Sequence, residues 1–397
     1  MRELGMRAVL PAEPSMTTAA QPTTLWDIAV LFLKLGTTAF GGPAAHIAML
    51  EHEVVERRGW ISEAEFLDHL GASNLIPGPT STELVIHIGR RRGGWPGLLV
   101  AGSCFILPAA LMVGVLAWAY VRYGKLPAIA GLLYGVKPVV IAVILQALWK
   151  LGRSAIKNWW LVTVALIALG LSAAGVSPLL VLAAGATLAL GASLVQFRNR
   201  ASILAWGRME PALATAAAAG ASAGLWPIFL AFAKVGAMVF GSGYVLLAFL
   251  RADLVERHAW LTQQQLLDAV AVGQVTPGPV FTTATFLGYL LRGSTGAIAA
   301  TAGIFLPAFF FVAVSAPLVP KLRASRAAGA ALDGINVASL ALMAVVTWQL
   351  ARSAIVDWRT LTLAVVSALL LFRFPRLNSA WLVAGAGLVG AFRYAFV

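Results

Sequence analysis

The sequence predicts an all-α, polytopic membrane protein built from two homologous repeats. Three observations carry this. First, 60% of the 397 residues are hydrophobic and 11% are charged, whereas roughly a quarter of a soluble domain is charged. Second, apolar runs near twenty residues recur at 98–121, 128–149, 178–196, 295–318 and 331–350. Each is long enough to cross a ~30 Å hydrocarbon core at ~1.5 Å per residue. A membrane β-barrel would show short alternating segments instead. Third, the chain repeats itself: residues 32–79 align with 232–279 without a gap, at an offset of 200.

The shared positions include Phe32, Lys34, Gly36, Phe40, Gly41, Val55, Glu56, Arg57, Trp60, Leu67, Asp68 and Pro77-Gly78-Pro79. The offset then becomes 199. Leu107-Pro108 matches Leu306-Pro307, and Arg153-Ser154-Ala155-Ile156 matches Arg352-Ser353-Ala354-Ile355. The expected organisation is a polar tail over 1–24, a first membrane repeat over 25–196, a linker over 197–224 and a second repeat over 225–397. The tail contains Pro11 and Pro14 and no apolar core, so it does not read as a cleaved signal peptide.

Within the first repeat the pattern predicts a long helix over 25–50, a charged loop, a short hairpin over 63–92, and crossings over 97–121, 127–150, 158–174 and 178–196. The second repeat gives crossings over 295–318, 329–351, 356–372 and 379–395. The hairpins are the informative part. Ser62-x-x-Glu65 and Thr262-x-x-Gln265 read as capping boxes, which start a helix. Each helix must stop at its Pro-Gly-Pro, about thirteen residues and ~20 Å later, too short to span the bilayer. Two half-length helices with such a tip read as a re-entrant hairpin. Broken backbone at membrane depth survives only where protein buries it or water reaches it.

About five crossings plus a re-entrant hairpin is an odd number, so the second repeat is expected to be inverted. A further crossing within the Ala-rich stretch 211–224 would make the repeats parallel instead. Basic residues concentrate on the hairpin side of the first repeat (57–58, 90–92, 150–157, 198–208), which assigns that side to the cytoplasm. The net charge of +13 is thus a topology signal. No nucleic-acid-binding signature accompanies it. The single cysteine, Cys104, allows no internal disulfide.

Inverted repeats with broken helices are the architecture of many secondary transporters, which bind substrate near the midplane at half-helix N-termini. The helices after the two tips begin at Thr80, Ser81 and Thr82 and near Thr282 and Thr283. Their first N–H groups lack intrahelical partners and carry partial positive charge, so they suit an anion. Hydroxyls add donors, and Asn74 and Gln274 precede the tips Pro77-Gly78-Pro79 and Pro277-Gly278-Pro279. Capping and turn chemistry alone would also account for these residues. Lys34 and Lys234 lie about nine residues into the first helices, near the bilayer middle. A lysine there costs ~2.5–3.5 kcal/mol on insertion scales. It supplies charge for an anion or serves as counter-ion to a carboxylate. Gly41-Gly42 and Gly241-Ser242-Gly243 follow in register and are expected to unwind that helix.

The repeats are not identical. Glu83 and His87 fall one turn apart on one helical face and have no charged equivalents in the second repeat. They are candidates to carry a proton, against a purely structural contact. Lys137 is another unmatched charge, with Asn336 as its counterpart. His52-Glu53-Val54-Val55-Glu56 lacks the second histidine of a zinc-protease helix. Gly385-x-Gly387-x-x-Gly390 sits in the last apolar run and reads as helix packing. Neither a metal site, a cofactor nor a nucleophile–base constellation is expected, so the chain does not read as an enzyme. Trp26, Trp95, Trp159, Trp160 and Trp381 fall near crossing ends, as interface anchors do.

At Phe40-Gly41-Gly42-Pro43, Pro77-Gly78-Pro79 and Phe105-Ile106-Leu107-Pro108, with their second copies, the sequence resembles the chromate ion transporter family in its long, two-domain form. The resemblance covers about residues 25–396. It implies a multi-pass protein of the bacterial inner membrane that exports chromate and confers chromate resistance, with sulfate as a structural mimic. The alternative is a transporter or gated channel for sulfate or another anion on the same scaffold. Arg90-Arg91-Arg92 departs from the family pattern, where an aromatic is expected after Gly89. The expected partners are chromate and sulfate, the lipid bilayer and a second copy in a homodimer, and no nucleic acid.

Overall fold

The computed structural model describes residues 23–40, 42–124, 126–197, 224–240, 245–315, 325–374, 377 and 379–395. The tail 1–22, the linker segment 198–223 and the site candidates Gly41, Gly241, Ser242 and Gly243 lie outside the described residues. Among the described residues the chain is helical throughout, with no strand. Four helices are long and apolar enough to cross a membrane.

The first repeat opens with α1 (Leu25–Thr38), capped by Thr24 and Asp27 in a reciprocal capping box. Then comes α2 (Gly42–Glu51), which continues as a π-helical segment to Arg57. The expected single helix over 25–50 is therefore two limbs. Lys34 on the first limb is 2.6 Å from Glu53 on the second. A straight helix would hold these residues ~28 Å apart, so the chain turns back between α1 and α2.

The second hairpin joins α3 (Glu63–Ser73) to α4 (Thr80–Tyr123). Ser62 caps α3 by accepting from the Glu65 amide. α4 is not one rod. Gly93 and Gly94 leave helical geometry, Gly94 with φ +60°. A short first arm therefore folds back on a long second arm. Gly89 and Gly97 face each other there so closely that neither has room for a Cβ. Three helices complete the repeat: α5 (Pro127–Ala155), α6 (Trp159–Ala173) and α7 (Pro178–Phe197).

The second repeat reproduces these breaks. α8 (Leu225–Gly236) is followed by α9 (Leu246–Leu250) and another π-helical segment to Arg257. α10 (Gln263–Val275) carries the full capping box of Thr262 and Gln265. α11 (Thr283–Ser315) breaks at Arg292 and Gly293, and Gly288 and Gly296 repeat the close approach. The last helices are α12 (Arg326–Ala354), α13 (Trp358–Arg373) and α14 (Ser379–Ala395).

The repeats are interlocked. α5 packs on α14 and α13, while α12 packs on α7 and α6. Small residues make this close: Gly135 lies on the Ala386 carbonyl and Gly185 on that of Gly334. Without a hydrophobic driving force between helices in lipid, such close backbone approach supplies the packing energy. The long arms of α4 and α11 meet head to tail. Gly102 touches Phe309, while one cavity wall brings Gly114 and Trp118 together with Ser294 and Thr301. Leu107, Leu111, Phe310, Trp159 and Trp381 are among many large apolar side chains on the outer surface, as a lipid-facing exterior requires.

Candidate functional site

Each Pro-Gly-Pro tip docks on the opposite repeat. Gly78 donates its amide to the Val239 carbonyl at 2.7 Å, and Gly278 donates to Ala39 at 2.9 Å. Ala39 is the C-cap of α1, and Val239 lies three residues past the end of α8. Thus each tip docks on the broken helix of the other repeat. Both glycines have positive φ, +142° and +89°, which L side chains rarely adopt. They also sit in notches. A Cβ on Gly78 would collide with the Glu83 carboxyl, and one on Gly278 would lie 3.1 Å from the Gly36 carbonyl.

After the first tip, Pro79 is the N-cap of α4 and has no side-chain capping bond. Thr80, Ser81 and Thr82 form its first turn, whose leading N–H groups face the tip. Thr82 is fully buried and its hydroxyl has no protein partner. Ser81 lies 3.5 Å from His46 Nδ1. The other ring nitrogen of His46 is 3.0 Å from the Ala39 carbonyl. A carbonyl only accepts, so Nε2 carries the proton and Nδ1 is left as acceptor for the Ser81 hydroxyl. After the second tip the hydroxyls are turned inward: Thr282 donates to Pro279 O and Thr283 to Val280 O, both at 2.8 Å. Pro277, Pro279 and Gln274 are buried around it.

A cavity of about 260 Å³ opens beside the first hairpin. Asn74, Ser154, Lys157, Asp333, Asn336 and Ser339 supply its polar lining, with Lys157 paired to Asp333 at 2.7 Å, and Phe240 and Val245 come from the break in the second repeat. The Ser339 hydroxyl is buried without a protein partner. At the equivalent place by the second hairpin, Lys137 stands where Asn336 does. Lys137 is paired with Asp268 at 2.8 Å, and Tyr120 donates to the same carboxylate at 2.8 Å. The chamber thus adjoins Asn74 of the first hairpin, whereas Asp268 of the second hairpin is held in a buried ion pair.

Lys34 and Lys234 take the counter-ion role. Lys34 bonds Glu53, which Arg57 and Arg58 also approach at 3.0 and 3.4 Å. Lys234 bonds Asp253, with Arg257 at 3.8 Å. Each carboxylate lies nineteen residues after its lysine, so the pairing itself repeats at the offset of 200. Each cluster keeps an excess of positive charge. Gly42, at φ +78°, opens α2. Glu83 is wholly buried at the first tip, and neither of its oxygens has a protein partner. His87 lies one turn further along α4.

Sequence reasoning missed His46, Tyr120, Asp268, Asn336 and Ser339 as neighbours of the tips. A histidine three residues after Gly-Gly-Pro and a lone Asp in an otherwise apolar hairpin were the available signals for two of them. The cavity-lining Asn and Ser residues gave none.

The chain matches a family model described as Chromate transporter twice, over residues 26–190 and 226–391. It is 37% identical to the Chromate transport protein of Cupriavidus metallidurans over 399 residues, covering 96% of this chain and 98% of the relative. It is 34% identical to the Probable chromate transport protein of Synechococcus elongatus over 331 residues, covering 81% and 83%. Against the Chromate transport protein of Pseudomonas aeruginosa it is 32% identical over 378 residues, covering 90% of each. No solved structure matches the chain.

Proposed function

This chain belongs to the chromate transporter family, and from that premise we propose that it is a secondary transporter exporting chromate across the bacterial inner membrane. The reciprocal seating of the two tips is the observation that carries this reading. It supports a site at the N-termini that begin at Thr80-Ser81-Thr82 and Thr282-Thr283, where backbone N–H groups and the Thr82 hydroxyl are available to a tetrahedral dianion. The chamber lined by Asn74, Asn336, Ser339 and the Lys157–Asp333 pair adjoins the first hairpin and supports a polar route to its tip.

The repeats are inverted across the membrane in this proposal. The head-to-tail contact of the long arms of α4 and α11 supports it, since equivalent helices related by a two-fold axis in the membrane plane run in opposite directions. The contrast between an open chamber beside the first hairpin and the buried Lys137–Asp268–Tyr120 cluster at the second favours alternating access over a continuous pore. Lys34 and Lys234, with their arginine neighbours, attract the anion without binding it directly.

Energy supply needs no nucleotide. Moving two negative charges outward across an inside-negative membrane releases about 4.6 kcal/mol per 100 mV, from ~2.3 per charge. The test is chromate accumulation in everted membrane vesicles, with and without excess sulfate and an uncoupler. Saturable, uncoupler-sensitive accumulation is expected, with sulfate competing. Well-expressed protein that accumulates no chromate would overturn the substrate, and non-saturating flux would favour a channel.

A further inference from the structure

We propose that the first hairpin is a proton path that couples proton movement to anion movement. The proposal rests on the transport reading above and deepens it. Four titratable groups line the two arms of this hairpin in order. Glu83 and His87 lie one turn apart on α4, and His69 and Glu65 one turn apart on α3. The His87 and His69 rings stack with centroids 5.5 Å apart and planes at 23°. His69 Nε2 is 4.0 Å from Glu65 Oε1.

Exposure rises along this column, from 0% at Glu83 and 4% at His87 to 21% and 31% for the side chains of His69 and Glu65. The column therefore leads from the tip, where Glu83 lies against Gly78, to the charged mouth, where Arg91 holds Glu65. Buried ionisable groups within a membrane segment are expensive and mark such pathways. The second hairpin has none of them. Gln265 and Ala269 stand at the α10 positions and Thr282 and Phe286 at the α11 positions.

Other charges around the column are accounted for. Arg90 donates to the Val312 and Ala313 carbonyls and covers the Trp95 ring. Lys34 of α1 is held by Glu53, and Lys137 by Asp268 of α10. From α2, His46 faces Ser81. α11 presents Ala308 and Val312 to the hairpin. Asp68 on α3 is exposed.

Coupling follows from like-charge exclusion. An anion on the N–H groups of the first tip lies beside the Glu83 carboxyl. Two negative charges cannot share that desolvated space. Glu83 therefore holds a proton while the dianion is bound and gives it up when the dianion leaves. When the dianion binds, Glu83 draws its proton up the column from Glu65 or water through His69 and His87. When the dianion leaves, Glu83 releases that proton into the vacated anion site, so proton and anion cross together. Neither Glu83 oxygen nor His87 Nε2 has a hydrogen-bond partner among the described residues, so a water bridges the step between them. The stacked rings are in contact but are not hydrogen-bonded, so ring rotation or one water completes the transfer from His69 to His87. One proton moves and no electrons change hands.

The test compares wild-type protein with a His69→Ala/His87→Phe double variant, which installs the residues the second hairpin uses. In proteoliposomes, chromate flux and internal pH are read together. Wild type is expected to move protons with chromate. The variant is expected to keep chromate exchange and lose at least tenfold of the proton flux. Chromate flux without proton movement in wild type, or equal proton flux in both proteins, overturns the path. A second readout needs no transport. The infrared band of the buried carboxyl, identified by its loss in Glu83→Gln, should shift promptly in D₂O in wild type and at least tenfold more slowly in the double variant. Equally prompt exchange in both overturns the path. Absent chromate flux with slowed exchange would overturn the substrate and leave the path standing.

Discussion

The Gly78 amide reaches across the molecule to the Val239 carbonyl at 2.7 Å, and its counterpart Gly278 reaches Ala39 at 2.9 Å. This exchange makes the halves interdependent. Each Pro-Gly-Pro tip satisfies a carbonyl freed past the end of the other repeat's first helix, which is the accounting that buried backbone requires.

Gly78→Ala and Gly278→Ala should each destabilise the fold, because the new Cβ meets a left-handed backbone that costs L residues roughly 1–2 kcal/mol and neighbours that leave no room. Thermal unfolding in detergent should show a lower midpoint for both, with the larger loss at Gly278, where backbone carbonyl and Ala109 both stand in the way. Gly59→Ala is the control, since its Cβ would meet nothing. A loss at Gly59 as large as at the tips would remove the argument from docking.

Breaking the Lys137–Asp268 pair should be costly in one direction only. Lys137→Met strands a buried carboxylate, at ~3–5 kcal/mol for a buried pair. Lys137→Met/Asp268→Leu removes both charges and should recover most of that stability. If the pair also closes the second tip, the double variant should transport chromate more slowly or leak. A double-mutant cycle on unfolding and flux reads both. Additive single-variant costs would show that the two side chains do not interact.

Lys34→Ala and Lys234→Ala should lower chromate flux by about tenfold, equivalent to ~1.4 kcal/mol, while Arg373→Ala leaves it unchanged. Each lysine holds a mostly buried carboxylate, and Arg373 ends α13 far along the chain from either cluster. Flux assays at matched expression decide it. Equal flux in all three variants would take the lysine clusters out of the transport path.

Arg92→Cys and Arg292→Cys, each on a Cys104→Ser background, should label from opposite sides of the membrane. Both positions adjoin the break between short and long arms, in α4 and α11 respectively. Labelling from the same side would make the repeats parallel and end the inverted arrangement.

Much of this architecture was legible in the chain. Apolar run length, the repeat at offsets of 200 and 199, and the two Pro-Gly-Pro breaks are local or periodic signals. They act through backbone chemistry that each segment carries with it. Pro77 and Pro79 cannot continue a helix, Gly78 permits positive φ, and Ser62 and Thr262 offer capping oxygens. The first helix was misjudged for the complementary reason. Gly41-Gly42-Pro43 signals a break, but not how far the chain turns there, which shows only in the distant pairing of Lys34 with Glu53.

Amino-acid sequence by itself thus determined a helical, twofold-repeated membrane chain with two Pro-Gly-Pro breaks and a family. Tertiary structure alone decided which groups meet: Gly78 with Val239, Lys137 with Asp268, His87 with His69. Those contacts join residues up to 161 positions apart. A side chain's type limits what it can bond, but which complements lie within its reach is set by the packing of helices distant in sequence.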